Sequence, residues 1–316
     1  LVKAIQIREF GGPEVMNLVE LPDPVAGDGE VLARISRIGV NFSDTHITND
    51  QYVARQELPL VPGIEFVGID PDGRRVASVV PHGAYAERIA VPESSLFAVP
   101  DEIDDEQALA VLIQGATADG ILRLSSKLSP GETVVVGAAA GGTGSLAVQM
   151  ARSMGAGKVI GLASGPEKQE LVLGLGADAA VDSRSERLAD EVLEAAGGPV
   201  DVVLEMAGGD SFDQLFGILA PFGRMVVVGI ASREQNRLRT GRLLKGSLTV
   251  SGFWLMHLLA RPELARASIG RVFGAAAAGD LKPVIGRTYG LSQVRQAHQD
   301  IAERRTIGKL MLDPDR

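Results

Sequence analysis

The chain has no cysteine. That absence excludes disulfides, thiolate zinc sites and cysteine nucleophiles together. Histidine is almost as scarce: His46, His82, His257 and His298 are scattered without an H-x-x-x-H spacing, so a protein-held metal has few donors. Aromatics make up only 4% of the chain, so the core must be filled by aliphatic and small residues. No run of 18 or more apolar residues marks a membrane span. The opening LVKAIQIREFGG alternates like a strand and lacks a signal peptide's apolar centre and cleavage site; it starts with Leu, so a start residue or tag is expected to precede this numbering. Positive charge is in deficit, with 31 Lys and Arg against 40 Asp and Glu, which argues against nucleic acid or an anionic membrane as partner. A cytoplasmic location is the default expectation.

What the chain does have is aliphatic bulk, 38 glycines and length. Its 316 residues fit two domains better than one. The most informative stretch is 132–164, which reads strand, glycine turn, helix, strand. Thr133 to Val136 form a β-branched run of the kind buried on both faces of a parallel sheet. Ala139, Ala140, Gly141, Gly142, Thr143 and Gly144 make a tight turn, with Ala139 in place of the first glycine of G-x-G-x-x-G. Ala147, Met150, Ala151 and Met154 follow at helical spacing, and Gly155 stands at the C-cap position. Glycines that admit close backbone approach, ahead of a helix N-terminus, suit a dinucleotide pyrophosphate.

The second strand's end speaks to which dinucleotide. An acidic residue there would bond a ribose 2′-OH; Ala163 and Ser164 stand in its place, with Lys168 one turn on. Loss of the carboxylate and gain of a cation favour a 2′-phosphate, hence NADPH. Ser164 also fits a helix cap, with Pro166 in the first turn, and Lys168 also fits a solvated face.

Residues 1–100 read as β-rich, with strands at 3–8 and 31–38, and 104–125 as helical. From about 130 to 255, strands are expected near 133–137, 158–163, 179–182, 200–205, 223–229 and 247–252, with helices between the first five. That order is a doubly wound, six-stranded parallel sheet of an α/β fold. Residues 257–278 continue as helix, and the tail from 284 returns to strand, helix and strand, expected to rejoin the first domain.

Several ordered motifs carry a resemblance over nearly the whole length. Gly39-Val40-Asn41-Phe42-Ser43-Asp44, Pro59 to Gly68, and Gly83-Ala84-Tyr85-Ala86-Glu87 resemble a GroES-like catalytic domain. Gly115-Ala116-Thr117-Ala118, Ala138 to Gln149, and His298 to Leu312 complete the set. Together they resemble the medium-chain dehydrogenase/reductase superfamily, in its zinc-free quinone oxidoreductase, or ζ-crystallin-like, branch. The resemblance implies a GroES-like domain over 1–116, completed by 283–316, and a Rossmann domain over 117–282. It places the catalytic zinc ligands of metal-dependent relatives on Asn41, Ile64 and Ile113, which cannot form a tetrahedral site. Glu65 is read as a hydrogen-bonded structural carboxylate. Without a Lewis acid, hydride must go to an acceptor activated by its own conjugation, a quinone or an α,β-unsaturated carbonyl. The 69–75 turn is shorter than in relatives, which implies an open rim.

The resemblance also implies roles. Asn41, Asp44, His46 and Tyr52 lie on or beside the loop that faces the nicotinamide. Asn41 can donate to a substrate carbonyl or the cofactor ribose, or stabilise a turn; Asp44 can touch ligand or hold the loop. His46 and Tyr52 are candidate proton donors, with Tyr52 also a wall for the acceptor. Cofactor contacts are expected from Asn41, Thr117, Ala140, Gly141, Gly142, Thr143, Gly144, Ser164, Lys168, Ser183, Gly208, Gly229, Ile230 and Phe253, with Arg184 as a further cation. Phe253 and Trp254 equally fit plain packing at a subunit interface. The leading expectation is NADPH-dependent quinone reduction by a homodimer. The alternatives are C=C reduction in an enone, alkenal or enoyl thioester, and a non-catalytic NADPH-binding protein.

Overall fold

A computed structural model describes residues 1–234 and 236–316. Contacts divide the chain into one unit of residues 1–113 with 269–316, and a second of residues 114–268.

The first unit opens with β1 (Val2–Gln6) and β2 (Asn17–Leu21), an antiparallel pair. Its main sheet begins with β3 (Glu30–Val40), β4 (Glu65–Ile69), β5 (Arg75–Val79), β6 (Arg88–Pro92) and β7 (Phe97–Ala98), with helix α1 (Phe42–Thr48) directly after β3. The 70–74 turn between β4 and β5 is tight because Asp70 accepts from the backbone N–H groups of Asp72 and Arg74, at 3.0 and 2.8 Å. Helix α2 (Asp105–Gly120) runs on through one π-helical turn (Ile121–Ser125). By length and composition this helix could cross a membrane, but 78% of its apolar window is buried within the fold, as in a core helix.

The second unit is the doubly wound sheet. Strands β8 (Thr133–Val136), β9 (Lys158–Leu162), β10 (Ala179–Val181), β11 (Val200–Glu205), β12 (Leu219–Val227) and β13 (Thr249–Gly252) are all parallel, in spatial order β10-β9-β8-β11-β12-β13. Helices α3 (Gly142–Ser153), α4 (Pro166–Gly174), α5 (Leu188–Ala196), α6 (Asp210–Gly217) and α7 (Thr240–Gly246) connect them. The strand order reverses between β8 and β11, and ligands of such sheets bind beyond the strand carboxyl ends at that point. Val135, Ile160, Val203 and Met225, all fully buried, build the core between sheet and helices. Helices α8 (Leu255–Leu259) and α9 (Pro262–Ala277) follow.

The chain then finishes the first unit. Strand β14 (Ile285–Gly290), helix α10 (Val294–Ala302) and strand β15 (Lys309–Asp313) add to the sheet, giving the order β14-β15-β3-β4-β5-β7, with β6 also on β3. β15 is therefore an interior strand of a sheet begun about 270 residues earlier.

Candidate active site

The glycine turn sits at the carboxyl end of β8, on the side where the strand order reverses. Ala138 is held at φ 45, in the left-handed region, and its carbonyl accepts from Gly141 N at 2.9 Å. A Cβ on Gly144 would overlap that same carbonyl, so helix α3 packs this closely only because residue 144 lacks a side chain. The departure at Ala139 has a local reason: Gly161 on β9 leaves the space that the Ala139 methyl fills. The N–H groups of the first turn of α3, from Gly142, Thr143 and Gly144, have no intrahelical acceptor and form a ready anion cradle. Ser164 and Lys168 are half-buried at the start of α4, whose N-cap Gly165 has φ 81. The Arg184 guanidinium lies 3.9 Å from where a Cβ of Gly165 would stand, so two cations flank this turn. Ala163 and Ser164 directly follow β9, with no carboxylate at that strand's end. These residues fit a pyrophosphate and a 2′-phosphate.

At the other side of the reversal, Glu205 ends β11. Its Oε1 accepts from Ala207 and Gly208 N–H at 2.9 and 2.8 Å, shaping the turn through Gly208 (φ 74) and Gly209 (φ 70). Burial raises its pKa above the ordinary value. Gly229 and Ile230 border this turn, since Ala231 N donates to Met206 O at 3.3 Å. Thr117 is buried on α2, and Ser183 is exposed after β10. The Phe253 ring occupies the space beside Gly120, where any Cβ would overlap it.

In the first unit, the predicted loop residues separate into two groups. His46 and Tyr52 are half-buried; the His46 ring packs edge-on to Phe42 at 5.4 Å. Asn41 and Asp44 are buried, and each belongs to a polar network that sequence reasoning does not assemble. Asn41 caps α1, and its backbone N–H donates to Asp44 Oδ2 at 2.9 Å. Tyr85 OH donates to the same Asp44 oxygen at 2.9 Å and lies 2.9 Å from His298 Nε2. With the tyrosine proton on Asp44, the neutral His298 that carries its hydrogen on Nε2 completes the row. Burial raises the Asp44 carboxyl to about 7, against the pull of its hydrogen bonds and of Lys309. Burial lowers His298 to about 3 and pushes Tyr85 well above its ordinary value. Asp44 Oδ1 is buried without a partner among the described residues.

The Asn41 amide is held from both ends. Its Nδ2 donates to Glu65 Oε1 at 2.9 Å, and its Oδ1 accepts from the Lys309 ammonium at 2.8 Å. Lys309 also pairs directly with Glu65, which accepts from Ile113 N at 3.3 Å as well. The hydrogen-bonded structural reading of Glu65 agrees with these bonds. Sequence reasoning gives no role to Lys309, Tyr85 or His298, yet a signal is available. A lysine inside IGKLML and a glutamate inside GIEFVGI are charges in apolar strands, and each demands a buried partner. At the positions where metal-dependent relatives would hold zinc, two side chains are aliphatic and the third is committed to Lys309 and Glu65, so zinc does not fit. Among the described residues there is no group of three His, Asp or Glu side chains placed to hold a metal.

Comparison with known proteins follows the same lines. Residues 142–269 match the model of the zinc-binding dehydrogenase family, and 27–69 that of the alcohol dehydrogenase GroES-like domain. The chain is 36% identical to a quinone oxidoreductase of Pseudomonas aeruginosa, over 99% of this chain and 100% of that one. It is 32% identical to a 2-haloacrylate reductase of a Burkholderia species, over 99% of each. The crystal structure of the quinone oxidoreductase of Thermus thermophilus, solved also with NADPH, superposes with a TM-score of 0.89 at 37% identity, covering 98% of this chain and 99% of that one.

Proposed function

From its membership of the zinc-free quinone oxidoreductase branch of the medium-chain dehydrogenase/reductase superfamily, we propose that the protein binds NADPH and reduces a quinone to the hydroquinone. The observation that carries this reading is the glycine turn at the strand-order reversal, joined to a 2′-phosphate corner without a carboxylate. Gly141, Gly142, Thr143 and Gly144 receive the pyrophosphate on the first turn of α3. Ser164, Lys168 and Arg184 receive the 2′-phosphate. Ala140, Thr117, Ser183, Gly208, Gly229, Ile230 and Phe253 line the remainder of the cofactor's course, and Asn41 reaches its ribose. When bound, NADPH supplies a hydride from its nicotinamide ring.

This chain's own part is to bind, orient and complete protonation. A quinone takes one hydride and one proton, and the protein need not polarise it strongly because the ring is already electrophilic. His46 on α1 and Tyr52 just after it, both half-buried, supply or relay the proton; Asp44 holds the segment in place. Rate enhancement then comes chiefly from holding a flat acceptor in reacting geometry. A second reading, reduction of an activated C=C bond, draws support from the similarity to a 2-haloacrylate reductase. Incubation with NADPH and a panel of ortho- and para-quinones, enones and simple aldehydes, with product analysis, tests both. Hydroquinone formation without aldehyde reduction supports the first reading; saturation of an enone with every quinone ignored replaces it by the second.

The homodimer is part of the same proposal. β13 is the outermost strand of the parallel sheet, and an open edge of that kind invites pairing with a second copy. Sedimentation showing a monomer at micromolar concentration would remove it. The soluble, cytoplasmic setting belongs to this reading too, and fractionation of cells tests it.

A further inference from the structure

Lys309 is 2% exposed and Glu65 is fully buried, and the two form an ion pair. They sit on β15 and β4, strands separated by β3, and they meet because Gly39 on β3 has no side chain: a Cβ there would overlap Glu65 Oε1. The glutamate crosses over β3 at that glycine to reach the lysine. Asn41, two residues on and facing the same side, is where both charges converge.

A buried ion pair of this type is weak evidence for stability, since apolar replacements of similar volume are often as stable or more so. Its local effect is more specific. An ammonium only donates and a carboxylate only accepts, so the Asn41 amide has one permitted orientation: Oδ1 to Lys309 and Nδ2 to Glu65. Asn41 is also the N-cap of α1 and, through its backbone N–H, the partner of Asp44. The segment carrying His46 and leading to Tyr52 therefore starts from a residue fixed by a strand 268 positions away.

We propose that Lys309 is a positioning residue of the reaction: its ammonium locks the Asn41 amide and, through it, the α1 loop that receives the hydride acceptor. The proposal rests on the quinone-reductase reading for its kinetic consequence, but its structural half stands apart from that reading.

The test is the double variant Lys309→Met/Glu65→Gln in the full chain. It removes both buried charges while keeping volume. The amide introduced at position 65 keeps one acceptor oxygen, for Asn41 Nδ2 or for Ile113 N, and the ammonium that fixed Asn41 Oδ1 is gone. If Lys309 merely neutralised Glu65, this variant would turn over quinone as wild type does, since the charge it balances is gone too. The expected result is a folded protein whose NADPH Kd rises by no more than about tenfold, the loss of one hydrogen bond to the ribose, while kcat at saturating NADPH and quinone falls about tenfold to a hundredfold, the range of a misplaced reacting group. Exchange of the Asn41 side-chain amide protons, assigned by loss of the signal in Asn41→Asp, should be at least about tenfold faster. Wild-type kcat in the double variant, unchanged amide exchange, or failure of the double variant to fold would each overturn the proposal. If the wild-type protein turns over no quinone, the functional reading falls, and the amide exchange still decides the role of Lys309.

Discussion

The buried row His298, Tyr85, Asp44 implies an unusual pH response, and replacing Asp44 by Asn should expose it. The folded Asp44 carboxyl holds its proton to about 7 against an ordinary 3.8, and folded His298 stays neutral down to about 3 against an ordinary 6.5. Between pH 3.8 and 7, the unfolded chain has lost the Asp44 proton and the folded chain has kept it, so stability falls as pH rises. Between pH 3 and 6.5, the unfolded chain binds a proton on His298 that the folded chain refuses, so stability rises with pH. Each slope is about 1.4 kcal/mol per pH unit, and across their shared window, roughly pH 4 to 6.5, they oppose and nearly cancel. Asp44→Asn keeps an acceptor for Tyr85 OH and Asn41 N–H but removes one slope. The uncovered histidine should then make the variant lose about 3 kcal/mol more than wild type between roughly pH 6.5 and 4.5. Comparing the two proteins cancels the groups they share, including Glu65 and Lys309, whose charges act on Asp44 in opposite senses. Urea unfolding at stepped pH measures it. All three tyrosines, Tyr52, Tyr85 and Tyr289, belong to the unit under test, and the single tryptophan, Trp254, reports on the other. Unfolding curves of variant and wild type that shift in parallel with pH would refute the reasoning.

Other expectations concern the proposed chemistry. Lys168→Ala should weaken NADPH binding by about 1–2 kcal/mol, the scale of a charge-assisted hydrogen bond, and leave NADH nearly unchanged; equal losses by fluorescence titration would count against the 2′-phosphate corner. Dialysis against a strong chelator should leave turnover intact, because Asn41, Ile64 and Ile113 offer no zinc ligand set; stoichiometric zinc with activity lost to the chelator would contradict this. Tyr52→Phe and His46→Ala should each slow quinone reduction about tenfold without abolishing it, measured as kcat at saturating NADPH, and no change in either would remove both from protonation.

The two units differ in how far their sequence can be read, and the reason is distance along the chain. In the 114–268 unit each strand, turn and helix is contiguous, and neighbours in sequence are mostly neighbours in space. Thr133 to Val136, the turn at 139–144 and the strand near 200–205 can therefore be placed almost to the residue. The Asn41 and Asp44 networks join side chains 24, 213, 244 and 268 positions apart. No local period announces such pairs; only the oddity of Glu65 and Lys309 within apolar runs hints at them. The same holds for Gly39, whose importance is visible only once Glu65 is seen to cross over it. Motif order puts His46 and Tyr52 on or beside one loop; the structure makes 42–48 the helix α1, which carries His46, and the elements that hold that segment come from the far end of the chain.

The interior place of β15 also sets an order in time. A ribosome delivers β3, with β4 and its buried Glu65, long before it delivers Lys309. Until residues 309–313 emerge, β3 lacks the neighbour on its outer side and the early sheet's glutamate lacks a counter-charge, whereas the parallel sheet of 114–268 already has all six strands. The nucleotide-binding half should thus be the first to become protease-resistant on stalled ribosomes, with the N-terminal hundred residues waiting, unfinished and cleavable, for the last strand to arrive.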